Sequence, residues 1–405
     1  MTEQIEALVD KELLKWARRN ASLSTDIVAR KIGVNKENLE SWEAGETRPT
    51  IPQLRKLANA YKRPIAVFYL PEPPKDFAPL RDYRRFAGTA RSVLSPALQL
   101  EIRLAYDRRE TALELYHDLE YTPIEPPPKV RISDEPEALA LKTRALLGIN
   151  HDIQVKFYDN HKAFNWWQTA VEETGVLVCR VSSVNLSEMR GFSIGEIPFP
   201  VVVINNNDSP AGRIFTMLHE FIHIMLRHRG LCDLREGTEG TYGKQRTEVF
   251  CNRVAGAILL PKDDLLLENA VSRNEPGTEW PDSDIRELAN KYKVSREVVV
   301  RRLLILERIT PDFYQKKRRQ FEQEYATIKN RAHQKEGFAP PHRIAIMNAG
   351  VSFTNLVLIG YHNRLITGSD LSDFLNIRLK HIKEIEQEVP RVRWSKLGQE
   401  SEVQH

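Results

Sequence analysis

Apolar residues recur at the spacing of an α-helix through most of the chain. Within 8–70 the pattern predicts several short helices, which break near Gly33 and Gly45. The same spacing predicts longer helices over three later ranges, 95–119, 135–146 and 161–174. From 211 onward helical spacing again dominates, so the chain is expected to be mainly helical.

Two short apolar runs interrupt the helical pattern and predict strands. The first is GVLVCRVSS at 175–183, and the second is FPVVVINN at 199–206. Both are rich in β-branched residues, and an Asn-Asn-Asn-Asp-Ser-Pro turn closes the second. The middle of the chain therefore has mixed helix and strand character.

Two proline clusters divide the chain. They are PEPPKDFAP from Pro71 to Pro79 and TPIEPPPKV from Thr122 to Val130, and we interpret both as linkers because proline fixes φ and removes a backbone donor. The predicted division has an N-terminal domain, Pro-rich linkers with a helical connector, a central domain and a helical C-terminal region of unknown role. These parts cover 8–70, 71–133, 134–310 and 311–405.

Length and composition favour a cytoplasmic protein of two to three domains. The 405 residues are 41% hydrophobic, which is enough for more than one core. No run approaches the roughly 20 apolar residues that span a bilayer, and the N-terminus carries charges where a signal peptide is apolar. The three cysteines, Cys179, Cys232 and Cys251, form no C-x-x-C pair, so neither a disulfide framework nor a cysteine zinc site is indicated.

Net charge alone does not predict nucleic-acid binding. A charge of +4 over this length is small, because such binding depends on basic side chains clustered on one surface. We interpret the arginine-rich stretches Arg81–Arg91 and Lys316–Arg319 as solvated helix faces or domain contacts. A prediction of DNA binding must therefore rest on a motif.

The chemistry-bearing motif lies in RIFTMLHEFIHIMLRH at 213–228. His219 and His223 are four residues apart, so they share one helix face and can hold one zinc ion, while Glu220 faces the metal site. The alternative is a pair of ordinary core histidines. Apolar residues surround the motif, and burying three polar groups there without a partner is costly, so a metal ion is favoured.

A catalytic zinc site needs a third protein ligand, which the next predicted helix supplies. No histidine lies six residues after His223, and His228 is too near. The helix TEVFCNRVAGAILLP at 247–261 places Glu248 and Asn252 on one face. We predict that Glu248 binds the metal and that Asn252 orients the ligands by hydrogen bonding, the alternative for Glu248 being a surface charge.

This region resembles the ImmA/IrrE metallopeptidases. In that family a strand ending in Asn precedes an F-T-x-x-H-E-x-x-H helix, and a later helix carries E-x-x-x-N and ends in L-x-P. The resemblance covers about 135–310, with Cys251 standing where alanine commonly precedes the Asn. The matching residues are Asn205, Phe215, Thr216, His219, Glu220, His223, Glu248, Asn252, Leu259 and Pro261.

The resemblance implies a small α+β zincin-like metallopeptidase domain of gluzincin type in a mainly α chain. It implies that zinc activates a water molecule and that Glu220 is the general base of a metalloendopeptidase. Manganese is an alternative metal. Tyr242 is a candidate for stabilising the oxyanion. An extended substrate is expected to pair with an edge strand, formed by either Arg190–Ile194 or Val201–Ile204.

Residues 24–70 have the layout of an all-α helix-turn-helix domain. Ile27, Val28 and Ile32 are apolar at helical spacing, Gly33 makes the turn, and Asn35 is predicted to cap the second helix. The later run Trp42, Glu43, Gly45 and Pro49, followed by L-x-K-L-A, resembles the XRE family of repressor-like domains.

The second helix of this module contains the candidate DNA contacts. Lys36, Asn38 and Ser41 are predicted to reach base edges in double-stranded DNA, although Glu37 and Glu40 beside them repel phosphate. The alternative is a module that docks a protein partner. The segment 285–309 also imitates a helix-turn-helix, and we interpret it as part of the central domain.

Two hypotheses of different classes follow. The first is a regulatory zinc endopeptidase that cleaves a specific protein, a transcriptional repressor or antitoxin. The second is a DNA-binding regulator or antitoxin whose peptidase domain is a non-catalytic scaffold. A complete set of His219, Glu220, His223 and Glu248 favours the first. Repressor-like modules commonly pair on two-fold DNA sites, so a homodimer is a further hypothesis.

Overall fold

The computed structural model describes most of the chain, which divides into two compact units, Met1–Leu104 and Ala105–His405. For 242–245 and 325–332 only the backbone is described. The described residues are 6–21, 23–61, 63, 65–73, 94–227, 242–332 and 339–389.

The first unit is a bundle of short helices. Gly33 and Gly45 adopt positive φ angles of 72° and 82° and end the second and third helices, as expected where a left-handed residue closes a helix. Its elements are α1 (Lys11–Asn20), α2 (Thr25–Ile32), α3 (Lys36–Ala44), α4 (Ile51–Tyr61) and a 3-10 helix (Ile65–Tyr69).

The core of this unit corrects two details of the predicted helix-turn-helix. Val28 and Ile32 are buried, but Ile27 is 43% exposed because it lies on the outer face of α2. Asn35 occupies the N-cap position of α3, yet its side chain makes no capping hydrogen bond. Arg18 and Glu43 instead tie α1 to α3 through a largely buried ion pair of 2.7 Å.

The second unit is helical around a small sheet, and α5 (Pro96–Asp118) runs across the boundary between the two units. The helices before and around the sheet are α6 (Pro136–Leu146), α7 (His151–Val155), α8 (Asn160–Glu172), α9 (Pro210–Met225) and α10 (Tyr242–Leu259). Those that follow are α11 (Lys262–Leu266), α12 (Asn269–Ser272), α13 (Asp282–Tyr292), α14 (Arg296–Ile305), α15 (Pro311–Ala332), α16 (Pro341–Ala349), α17 (Val351–His362), α18 (Gly368–Phe374), a 3-10 helix (Leu379–His381) and α19 (Ile382–Glu388).

The sheet contains three strands in the order β1-β3-β2. They are β1 (Leu177–Val181), β2 (Gly191–Ile194) and β3 (Val201–Asn205). β1 runs parallel to β3, with Leu177 opposite Val201, and β2 runs antiparallel to β3, with Gly191 opposite Ile204. Because β3 is central, β2 lies at one edge of this sheet.

The main core joins α9 to the sheet, α8 and α10. Helix α9 begins where the Ser209 side chain accepts a hydrogen bond from the Gly212 N–H at 3.1 Å, with Pro210 in the first turn. Most of α9 is buried, whereas α10 packs against both α9 and α6. These contacts place two helices and strand β2 around one site.

The predicted fold class is confirmed, because the described residues are mainly helical with one small sheet and a helix-turn-helix domain. The four-part domain division stays a prediction. Among the described residues, no single helix is long and apolar enough to cross a membrane, although α16 and α17, bent by 105°, meet that criterion together by length and composition.

Candidate active site

Helix α9 brings two histidines together. His219 and His223 are one turn apart, their ring centroids are 4.8 Å apart, and their Nε2 atoms are separated by 3.1 Å. His223 is 2% exposed, so its ring is buried rather than on a surface. Both nitrogens therefore converge on one point.

Helix α10 places a carboxylate at the same point. Glu248 Oε2 lies 3.1 Å from His219 Nε2, and Glu248 Oε1 lies 3.1 Å from His223 Nε2. One ligand atom from each of the three residues lies within 4.8 Å of the others. Two ligand atoms about 2.0–2.1 Å from a tetrahedral zinc ion are about 3.3 Å apart, so the spacing of these groups fits zinc.

The electrostatics of Glu248 keep it ionised. Burial raises its pKa, but hydrogen bonds and charges from His219 and His223 outweigh that effect and lower the pKa to about 2. An ionised carboxylate beside two imidazoles is a donor set that accepts a divalent cation.

Glu220 lies next to this cluster in a different environment. It is 3% exposed, and its Oε2 accepts a hydrogen bond of 2.7 Å from the Ser193 hydroxyl of β2. Burial raises the pKa of Glu220, although His223, His219 and the Ser193 hydrogen bond oppose the shift. The pKa of Glu248 is thus lowered and the pKa of Glu220 is raised. This difference is expected where one carboxylate binds a metal and the other carries a proton.

His219, Glu220 and Glu248 line an open cleft of about 110 Å³, which is room for several water molecules or a peptide group. Asn252, one turn after Glu248 on α10, lines this cleft. The other walls come from the start of β2, the first half of α9 and the beginning of α14. They are Arg190, Gly191, Gly212, Phe215, Thr216, Ser295, Glu297, Val298 and Arg301.

Gly191 allows β2 to pack directly on α9. A Cβ atom at this position would lie 2.5 Å from Thr216 Cγ2 and 3.0 Å from the Val203 carbonyl oxygen. Such distances are far below normal contact, so any side chain would push β2 away from the helix. The close approach brings Ser193, two residues later on the same face of the strand, within reach of Glu220.

Comparison with known families agrees with this geometry. Residues 171–304 match the peptidase family model described as the IrrE N-terminal-like domain, and residues 14–68 match the model described as helix-turn-helix. The chain carries both domains. No curated protein matches the chain at a significant level.

The IrrE N-terminal-like domain contains every residue of the candidate site. Its match extends from the end of α8 through β1, β2, β3, α9 and α10 to α14. The resemblance noted in the sequence to this family and to the XRE type of helix-turn-helix is therefore confirmed. The roles of the individual site residues stay predictions.

Two contributions to the IrrE N-terminal-like domain escaped sequence reasoning. Strand β2 was named from the sequence only as one of two possible substrate-binding edges, Arg190–Ile194, and its residues Gly191 and Ser193 were not singled out because small residues break the apolar run. Helix α14 was interpreted only as part of the central domain, yet its Arg301 and its N-cap residue Ser295 line the cleft. Alternation of small and bulky residues in GFSI is the signal that points to β2.

Two residues singled out in the sequence have no described side chain or position. The backbone of Tyr242 begins α10, but its side chain lies outside the described residues, and so does His228. The candidate role of Tyr242 in stabilising an oxyanion stays a prediction.

The three candidate DNA contacts lie on α3 of the helix-turn-helix domain. Lys36 is exposed, but its Nζ lies 3.1 Å from an Asp26 carboxylate oxygen and 3.9 Å from Glu40. Asn38 is exposed, and the Ser41 hydroxyl lies 2.8 Å from that of Thr47. Two carboxylates therefore share the positive charge of Lys36 in the unbound domain.

Proposed function

We propose that this protein is a regulatory zinc-dependent endopeptidase that cleaves a specific cytoplasmic protein. The observation that carries the proposal is the convergence of His219, His223 and Glu248 beside buried Glu220. Three of these residues, His219, Glu220 and Glu248, line one open cleft. Two imidazoles and one carboxylate form the donor set of a catalytic zinc site, in which a fourth position stays open. Manganese is the alternative metal, since cellular availability also decides occupancy.

Glu220 and Asn252 have separate proposed roles beside a bound zinc ion. A bound zinc ion supplies Lewis acidity that polarises a peptide carbonyl and acidifies water. Glu220 takes the proton from the attacking water and passes it to the leaving amine, a role that suits a carboxyl group whose pKa burial raises. Asn252, which lines the cleft one turn from Glu248, orients the ligands by hydrogen bonding.

Strand β2 is the proposed docking edge for an extended substrate. It pairs with β3 on one side, and its first residue, Gly191, lines the cleft beside Glu220. A peptide added along the other side of β2 would present successive carbonyl groups to the site. Of the two segments considered from sequence, Arg190–Ile194 therefore supports this role better than the central Val201–Ile204.

The helix-turn-helix domain supports a regulatory rather than degradative role. A DNA-binding module in the same chain as a peptidase would bring the site to DNA-bound proteins, so the proposed substrate is a transcriptional repressor or antitoxin. The proposed partners are that protein and double-stranded DNA, the latter contacted through Lys36, Asn38 and Ser41. A homodimer on a two-fold DNA site is part of the same proposal.

Metal content tests the proposal first. Wild type and the variants His223→Ala, Glu248→Ala and Glu297→Gln are purified without chelator, loaded with zinc, and assayed by elemental analysis and on a pool of quenched fluorescent peptides. Glu297 lines the same cleft outside the cluster, so its variant is the matched control. We expect about one zinc per chain and cleavage in wild type and control, and loss of both in the other two.

The second candidate function is a DNA-binding regulator with a non-catalytic peptidase domain. The match of 14–68 to the helix-turn-helix model favours DNA binding by itself. Wild-type protein that binds duplex DNA but holds no zinc and cleaves no peptide would replace the first proposal with this one. The salt dependence of DNA affinity, measured by fluorescence anisotropy, reports how many phosphates the domain contacts.

A further inference from the structure

Among the described residues, Ser193 is the one side chain outside α9 and α10 that hydrogen-bonds the Glu220 carboxylate. Its hydroxyl donates to Glu220 Oε2 at 2.7 Å, and both residues are buried, at 1% and 3% exposure. The donor comes from strand β2, whereas the acceptor belongs to helix α9. The bond therefore joins two elements that are distant in sequence.

The backbone of β2 fixes the position of the Ser193 hydroxyl relative to α9. Ser193 pairs with Val202 in the antiparallel register of β2 and β3, and Gly191 lets the strand approach α9 to the minimum distance. A short side chain on such a strand has little freedom. Its hydroxyl is therefore a preorganised donor rather than a surface group that rotates into place.

This hydrogen bond decides which oxygen of Glu220 is left to exchange a proton. With Oε2 held by Ser193, the base function falls on Oε1. Without the bond the carboxylate is free to rotate towards the imidazoles of His219 and His223 on the same helix. A misplaced base loses rate even when the metal ligands are intact.

We propose that Ser193 is a positioning residue that locks the Glu220 carboxylate in the orientation required for proton transfer at the cleft. The inference deepens the proposed peptidase function and rests on it. The Ser193 hydroxyl donates to Glu220 and not to His219 or His223, so its effect should appear at Glu220 and not in metal affinity.

The test compares Ser193→Ala and Ser193→Thr with a matched control, Ser352→Ala. Ser352 is also buried and also hydrogen-bonds a buried carboxylate, that of Glu172, but it does not line the cleft. All proteins are full-length and loaded with Co²⁺, whose visible absorption reports the ligands of the metal. Two probes are titrated into each: acetohydroxamate, which chelates a metal and also donates hydrogen bonds to a neighbouring carboxylate, and azide, which binds the metal alone.

We expect Ser193→Ala to weaken acetohydroxamate binding about tenfold or more, because one hydrogen bond to a charged group is lost from the arrangement that binds the probe. Azide affinity, cobalt stoichiometry and the starting spectrum should stay within twofold of wild type. Turnover of the best cleaved peptide should fall by about tenfold to hundredfold with little change in KM. Ser193→Thr, which keeps the hydroxyl, should recover most of both losses, and Ser352→Ala should behave like wild type.

Each other result counts against the inference in its own way. If Ser193→Ala binds both probes and turns over peptide like wild type, the positioning role is wrong. If it loses azide, hydroxamate and cobalt together, Ser193 has a structural role only. If wild-type protein takes up no cobalt or zinc, the proposed peptidase function fails at its first step and the inference fails with it.

Discussion

The two ends of helix α10 both bury charged and polar groups, but different partners complete them. Towards its beginning, Glu248 faces the imidazoles of His219 and His223 beside an open cleft. At its end, backbone carbonyls accept hydrogen bonds from buried side chains of other helices. Arg144 binds the Ile258 carbonyl at 2.6 Å, Gln154 binds Leu259 at 2.9 Å, and Arg302 binds Leu260 at 2.8 Å.

The difference separates the candidate metal site at the beginning of α10 from a structural clamp at its end. The clamp consists of Arg144, Gln154 and Arg302, which hold the last carbonyl groups of the helix. The clamp is completed within the chain: Arg302, 1% exposed, pairs with Glu137 at 2.6 Å while it holds the helix end. Cations near the C-terminal carbonyls of a helix are also favoured by its dipole. The cleft end instead gathers acceptor atoms that a divalent cation would complete. The clamp holds α10 in place, and this positions Glu248.

The largest expected effect lies at the cleft. Glu220→Gln keeps the size of the side chain but removes its ability to take a proton, so peptide cleavage should fall by roughly 10²–10⁴-fold. Zinc content should stay at one per chain, since the ligands are untouched. Steady-state kinetics with elemental analysis checks both. Activity within tenfold of wild type would falsify the assignment of Glu220 as the general base.

A substitution in the clamp should lower the stability of the protein rather than its activity. Arg302→Met removes the donors to Glu137 and to the Leu260 carbonyl, and we expect the free energy of unfolding to fall by about 2–3 kcal/mol. This expected loss is smaller than for a fully buried ion pair, because the Glu137 side chain is 29% exposed and water can solvate it. Urea unfolding of the metal-free protein measures it.

Glu137→Gln is the matched control for the clamp. It keeps the hydrogen bond from Arg302 to the Leu260 carbonyl. It should therefore lower the free energy of unfolding by less than half as much as Arg302→Met does. Equal losses in the two variants would show that the Arg302–Glu137 ion pair, and not the helix end, carries the stabilisation.

Glu172 sharpens the comparison because it is a buried carboxyl group away from the cleft. Burial raises its pKa to about 7 despite hydrogen bonds from Gln168 and Ser352. Its folded pKa lies above the unfolded value, so the folded state holds the proton more tightly and stability falls as pH rises from about 4.5 to 7. Glu172→Gln should remove that loss and stabilise the protein at pH 8 by on the order of 2–3 kcal/mol.

Urea unfolding of wild type and Glu172→Gln at pH 5 and pH 8 measures this effect. The two proteins should differ little at pH 5, where the native carboxyl group is already protonated. A difference of the same size at both pH values would mean that ionisation of Glu172 plays no part.

The smallest effect is steric. Gly191→Ala introduces a Cβ 2.5 Å from Thr216 Cγ2, and overpacking of this kind costs roughly 1–3 kcal/mol. Thr216→Ser removes the obstructing methyl group, so the double variant should regain part of the stability and of the cleavage rate. Thermal unfolding and peptide assays report the two effects, and a double variant no better than Gly191→Ala would place the clash at the Val203 carbonyl.

The sequence predicted those features whose signal is local. The H-E-x-x-H spacing places His219 and His223 on one face of a helix whatever surrounds it, because the α-helical period decides that alone. Glycine at positive φ likewise marked the ends of α2 and α3. Apolar runs of β-branched residues identified β1 and β3 within two residues at each end.

Other features depended on contacts between distant segments. Ile27 followed the apolar pattern of α2, yet only the packing of the bundle decided that it faces outward. Helix α14 showed a helix-turn-helix pattern, but its position beside α10 makes it a wall of the cleft. A pattern along one helix cannot report which neighbour that helix meets.

The chemistry of the site divides in the same way. The residue types and spacings of His219, Glu220, His223 and Glu248 predicted a metal site, because coordination needs particular donor atoms. The resemblance to the ImmA/IrrE metallopeptidases added the expectation of a peptidase. Tertiary structure alone decided that Glu248 comes within 3.1 Å of both imidazoles, that burial gives Glu220 a raised pKa, and that β2 brings Ser193 to it. Distances and desolvation arise only when separate elements pack together.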